Sequence, residues 1–198
     1  YMKAVLTGDI INSRAATGWQ EQLVSVLEMY GTTPENWEIY RGDSFQLLLD
    51  ASHALKAALH IKATIKTNSA LDVRIAIGIG DYTYKANHVT QANGSAFVHS
   101  GTAFDAIKTN TLVIQSDFKS VDETLNIMFS LASLTMDNWP AVTAQIVKAR
   151  FEEPHLNQTE LSQKLDKAQS AISKALSRAG YDEISKMLNF YTDQINKL

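Results

Sequence analysis

Cysteine is absent from the 198 residues of this chain. That absence excludes disulfides, thiolate zinc sites and cysteine nucleophiles, and it suits a reducing compartment. No apolar run approaches the roughly twenty residues that a membrane-spanning helix needs, and the first residues lack the basic and long apolar segments of a signal peptide. We therefore expect a cytoplasmic protein that does not enter a membrane.

Repeats, low-complexity tracts and long flexible linkers are also absent. The histidines are scattered without the spacing of metal ligands, so a histidine metal site has little support. Hydrophobic residues make up 45% of the chain, which allows one good core and a small additional helical part. Because Pro140 marks a change to a purely helical pattern, we predict two domains, residues 1–138 and 139–198.

Charge is distributed unevenly along the chain. Residues 1–140 carry 10 basic and 14 acidic side chains, whereas residues 141–198 carry 8 and 7. Only the C-terminal part could approach nucleic-acid phosphates without net repulsion, and its basic excess is small. A single copy should bind DNA weakly, so we expect a homodimer if DNA is the partner.

The apolar pattern of the first domain predicts an α+β fold. The elements are a strand (3–11), a helix (18–30), a hairpin (37–50), a helix (51–67), a strand (71–82), a loop and helix (92–108), a short strand (111–116) and a helix (120–139). When the hairpin is counted as two strands, the six elements up to residue 82 follow the split βαβ, or ferredoxin-like, order. We expect the lysine side of the 51–67 helix (Lys56, Lys62, Lys66) to be solvated, and the three tryptophans to lie in the core or at the domain junction.

Two carboxylates should meet in this fold. Asp9 ends the first strand, and Asp43 lies in the turn that begins the third. These strands are neighbours and antiparallel in a split βαβ sheet, so the two side chains should lie close together. A shared proton or a bound divalent cation would relieve their repulsion. For a cation, oxygen-only ligation favours magnesium or manganese, often with a nucleotide phosphate. Alternatively, Asp9 caps the following loop and Asp43 is an ordinary turn residue.

Residues beside these carboxylates are further candidates. Ser13, with Asn12, follows the first strand where a loop entering a helix can offer amide hydrogens to a phosphate, although helix capping explains it equally well.

The motifs TGDIINS, YRGDSFQLLL, RIAIGIG and GSAFVHSGTAF resemble the palm domain of class III nucleotidyl cyclases. The resemblance implies a metal site at Asp9 and Asp43. Nearly end to end, however, the chain is more similar to the SatD family of bacterial proteins. The sharpest motifs of this resemblance are residues 8–10 with Ser13, residues 41–45 and residues 94–104. From the first two motifs we predict these ligand-binding residues: Gly8, Ile10, Ser13, Arg41 and Ser44. Active cyclases supply an Asn and an Arg after the fourth strand, whereas the comparable segment here, residues 97–101, has no arginine. We therefore do not expect the chain to catalyse cyclisation. We do expect it to bind a nucleotide or another phosphorylated ligand.

The segment from Asn157 to Ile184 predicts a helix-turn-helix. Apolar residues recur at helical spacing on both sides of the break at 166–167, which allows one seam to join two short helices; they are Leu161, Leu165, Ala168, Ile172 and Leu176. The outer face of the second helix offers hydrogen-bonding groups and two cations, with no carboxylate. The predicted DNA-binding residues are Gln169, Ser170, Ser173, Lys174, Ser177 and Arg178. Any small helical hairpin would need a similar seam and a polar outer face.

These features favour a DNA-binding regulator whose cyclase-like domain senses a nucleotide or phosphorylated ligand with a divalent cation. The main alternative is a metal-dependent enzyme that acts on nucleoside triphosphates at Asp9 and Asp43 and uses its C-terminal helices for dimerisation or docking. A third possibility is an interaction module with neither DNA nor a small ligand.

Overall fold

The computed structural model describes residues 2–83 and 86–198. Within them the chain is a mixed α+β structure, as expected, with one five-stranded sheet and eight α-helices. The strands are β1 (Lys3–Ile11), β2 (Trp37–Tyr40), β3 (Ser44–Asp50), β4 (Asp72–Gly80) and β5 (Leu112–Gln115). The helices are α1 (Trp19–Glu28), α2 (Ala54–Ile65), α3 (Ser95–Ala106), α4 (Lys119–Met136), α5 (Ala141–Glu152), α6 (Gln158–Lys164), α7 (Gln169–Arg178) and α8 (Tyr181–Ile195). None of the helices in these two ranges has the length and apolar character to cross a bilayer.

Strand order in the sheet is β2-β3-β1-β4-β5. The first four strands run antiparallel to their neighbours, and β5 runs parallel to β4. The expected pairing of β1 with β3 is present, with Asp9 opposite Ser44. Because of these directions, the end of β1 meets the beginnings of β3, β4 and β5 at one edge of the sheet.

Helices cover both faces of the sheet. Alternate residues of β1 point to opposite sides, so Leu6 joins the main core with α1 and α2, while Val5 joins a smaller cluster with Ala96 of α3. The α3 helix lies very close to β4, because a Cβ atom at Gly78 would sit 2.2 Å from the backbone oxygen of Ala96. Glycine at this position therefore allows the contact between helix and sheet.

One hydrophobic core continues across the predicted domain boundary at residues 138 and 139. Every residue of α2 except Lys56 is buried, and this helix packs against the sheet and α1 as well as against α5 and α8. Tyr191 of α8 is fully buried, and its hydroxyl donates to the backbone oxygen of Ala51 over 2.6 Å. The C-terminal helices are thus anchored in the same core as the sheet.

Lys62 of α2 and Lys66, which directly follows α2, are buried, so the expectation of a solvated lysine face is wrong for them. Lys62 is 2% exposed, and its Nζ lies 2.8 Å from Asp72 Oδ1 and 2.7 Å from Asp137 Oδ1. Lys66 Nζ donates to the backbone oxygen of Asp137 over 2.7 Å and lies 3.3 Å from Asp72 Oδ2. These carboxylates come from β4 and from the end of α4, and they offset the cost of removing two ammonium groups from water.

The three tryptophans are buried, as expected for core or junction residues. Trp139 lies in the link between α4 and α5, and its Nε1 donates to the backbone oxygen of Ala179 over 3.1 Å. Since Ala179 directly follows α7, this hydrogen bond joins the predicted domain boundary to the end of α7.

Candidate functional site

Asp9 forms an ion pair with a neighbouring strand. It lies directly opposite Arg74 of β4, whose Nε donates to Asp9 Oδ1 over 2.9 Å and whose Nη2 donates to Oδ2 over 2.5 Å. Such two-point pairing fixes both side chains more firmly than a single contact. The hydrogen bonds from Arg74 to Asp9 raise the pKa of the arginine above its ordinary value. The Arg74 guanidinium carbon also lies 5.7 Å from the ring centroid of Phe104 of α3.

Asp43 lies next to Asp9, as the sheet topology predicts. Its backbone oxygen accepts from the amide of Ile10 over 3.1 Å, and its Oδ2 accepts from the hydroxyl of Ser13 over 2.6 Å. Gly42, with a φ of 89°, provides the left-handed conformation of the turn before Asp43. Ser13 begins a short 3-10 helix, and its backbone oxygen accepts from Trp19 Nε1, which ties this loop to α1.

A cavity of about 790 Å³ opens beside the two carboxylates. Its walls are the end of β1 with the loop that follows, Asp43, Arg74 and the residues that precede β5. The complete lining is Asp9, Ile10, Ile11, Asn12, Ser13, Arg14, Ala15, Asp43, Arg74, Lys108, Thr109, Asn110 and Thr111. Its volume falls within the range of about 300–1,000 Å³ that is usual for small-molecule sites. Its three basic and two acidic side chains give the lining a formal charge of +1.

The predicted ligand-binding residues are only partly brought together. Ile10 and Ser13 line the cavity, whereas Gly8, Arg41 and Ser44 do not. At Gly8 a Cβ atom would lie 2.5 Å from the ring of Phe45, so core packing explains the glycine. Arg14, Lys108 and residues 109–111 were not predicted from the sequence. The short 3-10 helix after β1 places Arg14 at the cavity. The parallel pairing of β5 with β4 places residues 108–111 there.

The cavity is linked to the C-terminal helices by a chain of hydrogen bonds. Thr111 lines the cavity, and its hydroxyl donates to Asp137 Oδ1 over 2.7 Å and accepts from Lys62 Nζ over 3.2 Å. Asp137 follows directly on α4, two residues before Trp139, which contacts the end of α7. The hydrogen bonds at Thr111 and at Trp139, joined by the backbone from Asp137 to Trp139, thus connect the cavity wall to the end of α7.

The two carboxylates meet the requirements of a hard cation only in part. Within residues 2–83 and 86–198 no group of three or more metal-ligating side chains is placed to hold an ion. Magnesium, however, commonly takes one or two carboxylates and completes its shell with water and phosphate oxygens. Asp9 and Asp43 retain free lone pairs beyond their bonds to Arg74 and Ser13. The donor set thus fits such an ion together with a phosphorylated ligand.

The second candidate region is the outer face of α7. All six residues that the sequence analysis assigned to DNA contact are exposed, while Ile172, Ala175 and Leu176 on the same helix are buried. Two are cations, Lys174 and Arg178, and neither forms an ion pair within the described part of the chain. The buried side packs on α5, α6 and α8.

The turn between α6 and α7 spans four residues. Asp166 has a φ of 50°, the Asp166 amide donates to the Gln163 oxygen, and the Lys167 amide donates to the Ser162 oxygen. This pair of bonds is the Schellman motif, which ends a helix sharply. At its other end α6 has a complete capping box between Asn157 and Glu160. Both ends of α6 are therefore encoded locally.

The predicted seam between these helices needs one correction. Leu161, Ile172 and Leu176 are buried and Leu165 is half-buried, but Ala168 is exposed. Ala168 has extended dihedral angles at the start of α7, so the helical spacing that placed it on the seam does not apply across the turn. Ala179 is fully buried beyond the end of α7.

Fold and cavity together define an α+β protein with a polar, ligand-sized cavity at one edge of its sheet. The chain belongs to the SatD family, whose model matches residues 3–185, and this confirms the predicted similarity to that family. The match includes both carboxylates and all of α7. Comparison with curated proteins returned no match.

Proposed function

We propose that this protein is a DNA-binding regulator that senses a nucleotide or another phosphorylated ligand. The observation that carries the proposal is the outer face of α7, which is exposed, polar and basic. Its underside is held by buried Ile172 and Leu176, so the exposed groups are presented from a fixed helix. In this proposal α6 and α7 form a helix-turn-helix with α7 as the helix that enters the major groove.

The chemistry of α7 suits a DNA groove. Gln169, Ser170, Ser173 and Ser177 can donate to and accept from base edges or phosphates, while Lys174 and Arg178 can neutralise phosphates. The first amides of α7 have no side-chain cap, and the Ala171 amide donates to the backbone oxygen of Ala168, which leaves the Gln169 and Ser170 amides to meet an anion. With two cations per copy, useful affinity requires a homodimer that places two α7 helices on one DNA site.

The ligand part of the proposal rests on the cavity beside Asp9 and Asp43. We assign the N-terminal region a ferredoxin-like, cyclase-palm-like architecture, supported by the order β2-β3-β1-β4 and by its antiparallel pairing. Arg14 and Lys108 supply positive charge for a phosphate, because Arg74 is already paired with Asp9. Magnesium or manganese would lie between the two carboxylates and the phosphate oxygens.

DNA binding is tested by the double substitution Lys174→Ala with Arg178→Ala. The slope of log affinity against log salt falls by about 0.9 for each lost phosphate contact, so we expect a slope lower by about 1.8 per copy and much weaker binding. The double variant Lys186→Ala with Lys197→Ala removes the same charge from exposed sites outside α7 and should bind nearly as wild type. Equal binding by both variants, or no binding of wild type to any duplex at low salt, would refute the assignment.

Ligand binding is tested by thermal shift with nucleotides, with and without magnesium or manganese. A ligand at one hundred times its Kd stabilises the folded chain by about 2.7 kcal/mol. We expect this gain to require the cation and to be lost in Asp9→Asn and Asp43→Asn, but not in Asp193→Asn, which changes an exposed carboxylate of α8. Stabilisation that survives both site substitutions would place the ligand elsewhere.

The alternative is a metal-dependent enzyme acting on nucleoside triphosphates. The same cavity favours it, because paired carboxylates beside Arg14 and Lys108 could hold a triphosphate and its magnesium. Nucleotide turnover that requires magnesium and disappears in Asp9→Asn would establish the enzyme. Binding without turnover, together with DNA binding through α7, would establish the regulator.

A further inference from the structure

An apolar stripe runs along the exposed side of α4. Ile127, Leu131 and Leu134, here called the α4 stripe, are 63%, 62% and 73% exposed. The opposite side of α4 is buried through Leu125 and Phe129. Single exposed aliphatic residues are common, but three on one helical face form a continuous patch, and such patches mark interaction surfaces.

The spacing of the stripe is that of a helix-pairing seam. Thr124, Ile127, Leu131 and Leu134 follow one another at steps of three, four and three residues, which is the a and d pattern of a heptad. Within α4 this pattern is separate from the buried positions that hold the helix on the sheet. The helix thus has one face for its own core and a second face with the spacing to pack on another helix.

The stripe is complementary to itself when two copies run antiparallel. A two-fold axis at Leu131 sets Leu131 against the same residue of the second copy. It brings Ile127 within one residue, about 1.5 Å along the helix axis, of the level of Leu134. The polar residues at the two ends, Thr124 and Asn138, then also face each other. An isologous contact of this kind needs such a match about one centre, because each copy presents the same surface.

Charge also favours antiparallel pairing. The charged residues of α4 are Lys119, Asp122 and Glu123, all near its N-terminus, and none follows within the helix. An antiparallel pair centred on Leu131 separates the two Glu123 residues by about 24 Å along the axis, whereas a parallel pair would set them side by side. The helix dipoles oppose each other favourably in the same arrangement.

A groove beside the stripe extends this surface. It lies between α4 and α8, has a volume of about 410 Å³, and includes Leu131 of the stripe. Its walls are mainly apolar, with Met128 and Ala132 from α4 and Ile184 and Met187 from α8. A specific interface usually buries about 800 Å² on each subunit, more than a single helical seam offers, and the groove provides adjoining apolar surface.

We propose that two copies of this chain pair through the α4 stripe, with the helices antiparallel about a two-fold axis at Leu131. The pairing does not depend on DNA or on a ligand, so it stands or falls separately from the proposed function. If both hold, the pairing relates the two α7 helices by the same two-fold axis.

Sedimentation equilibrium up to roughly 200 μM covers the range of a weak specific interface. We expect wild type to dimerise and Leu131→Glu, which sets two carboxylates against each other at the axis, to dissociate at least roughly 100-fold more readily. The matched control is Val98→Glu, which adds the same charge at an exposed aliphatic residue of α3 and should leave the dimer intact. A monomeric wild type, or a Leu131→Glu dimer as strong as wild type, overturns the proposal.

The antiparallel direction of the two α4 helices is tested by introducing opposite charges at residues 127 and 134. Ile127→Lys and Leu134→Glu should each weaken the dimer, and the double variant should recover it, because each lysine then faces the glutamate of the second copy. A parallel pair would instead set like charges together in the double variant. Since the natural chain has no cysteine, Leu131→Cys provides an independent check: oxidation should link two copies at the axis. Failure of both the charge rescue and the cross-link overturns the antiparallel arrangement.

Discussion

His60 should make the stability of this protein fall below neutral pH. Its side chain is fully buried in α2, where it stacks on Phe151 at a ring separation of 5.8 Å and shares a 2.9 Å hydrogen bond with the Tyr30 hydroxyl. Its Nε2 has no hydrogen-bond partner, since Glu152 is 3.7 Å away. Burial lowers the pKa of His60 from 6.5 to about 4.

The direction of the effect follows from which state binds the proton first. As pH falls below about 7, the unfolded chain protonates His60 while the folded chain keeps it neutral, so the free energy of unfolding decreases until pH reaches about 4. The whole shift in the pKa of His60 corresponds to about 3 kcal/mol of folding stability, of which about 2 kcal/mol is lost between pH 7 and pH 5. The paired carboxylates Glu38 and Asp50 have lowered pKa values and lose their contribution mainly at lower pH.

Urea unfolding at pH 7 and pH 5 measures this loss. His60→Asn removes the titration and keeps a polar atom for Tyr30, so the decrease should shrink by about 2 kcal/mol relative to wild type. His53→Asn, which changes an exposed histidine just before α2, should retain the full decrease. An unchanged decrease in His60→Asn would show that burial of this imidazole does not control the pH dependence.

Three further predictions concern the packing that positions the cavity and the C-terminal helices. Lys62→Met leaves Asp72 and Asp137 without their buried cation and should lower the free energy of unfolding in urea by about 3 kcal/mol. Lys186→Met, at an exposed site, should change it by less than about 0.5 kcal/mol. Equal effects would mean that the buried ion pairs do not matter. Gly78→Ala must displace α3 from β4 and should lower the free energy of unfolding by at least about 2 kcal/mol. The added methyl group of Gly101→Ala, in α3, meets open space and should stabilise the fold by up to about 1 kcal/mol. A tolerated Gly78→Ala would contradict the close contact between α3 and β4. Tyr191→Phe removes the buried hydroxyl that donates to the Ala51 oxygen, which then keeps only its bond from the Ala54 amide, and it should lower the free energy of unfolding by about 1 kcal/mol. The control is Tyr82→Phe, at a half-buried tyrosine beside Phe97, and an equal loss in both variants would mean that the Tyr191 hydrogen bond does not matter.

Local signals in the sequence determined much of the secondary structure. Pro140 precedes the first residue of α5, and the capping box at Asn157 begins α6 where the pattern predicts a helix. The polar side of α7 is exposed because its apolar residues recur at helical spacing and define the buried side by themselves. The proximity of Asp9 and Asp43 was likewise predictable, since it follows from strand order alone.

Tertiary structure decided which distant groups meet. Lys62 resembles a solvated lysine in the sequence and is buried because Asp72 and Asp137 come to it from other elements. Arg74 neutralises Asp9 because two strands 65 residues apart lie in register. Periodicity reports which side of an element is apolar, but the partner of a buried charge and the far wall of a cavity depend on contacts between segments that no local pattern encodes.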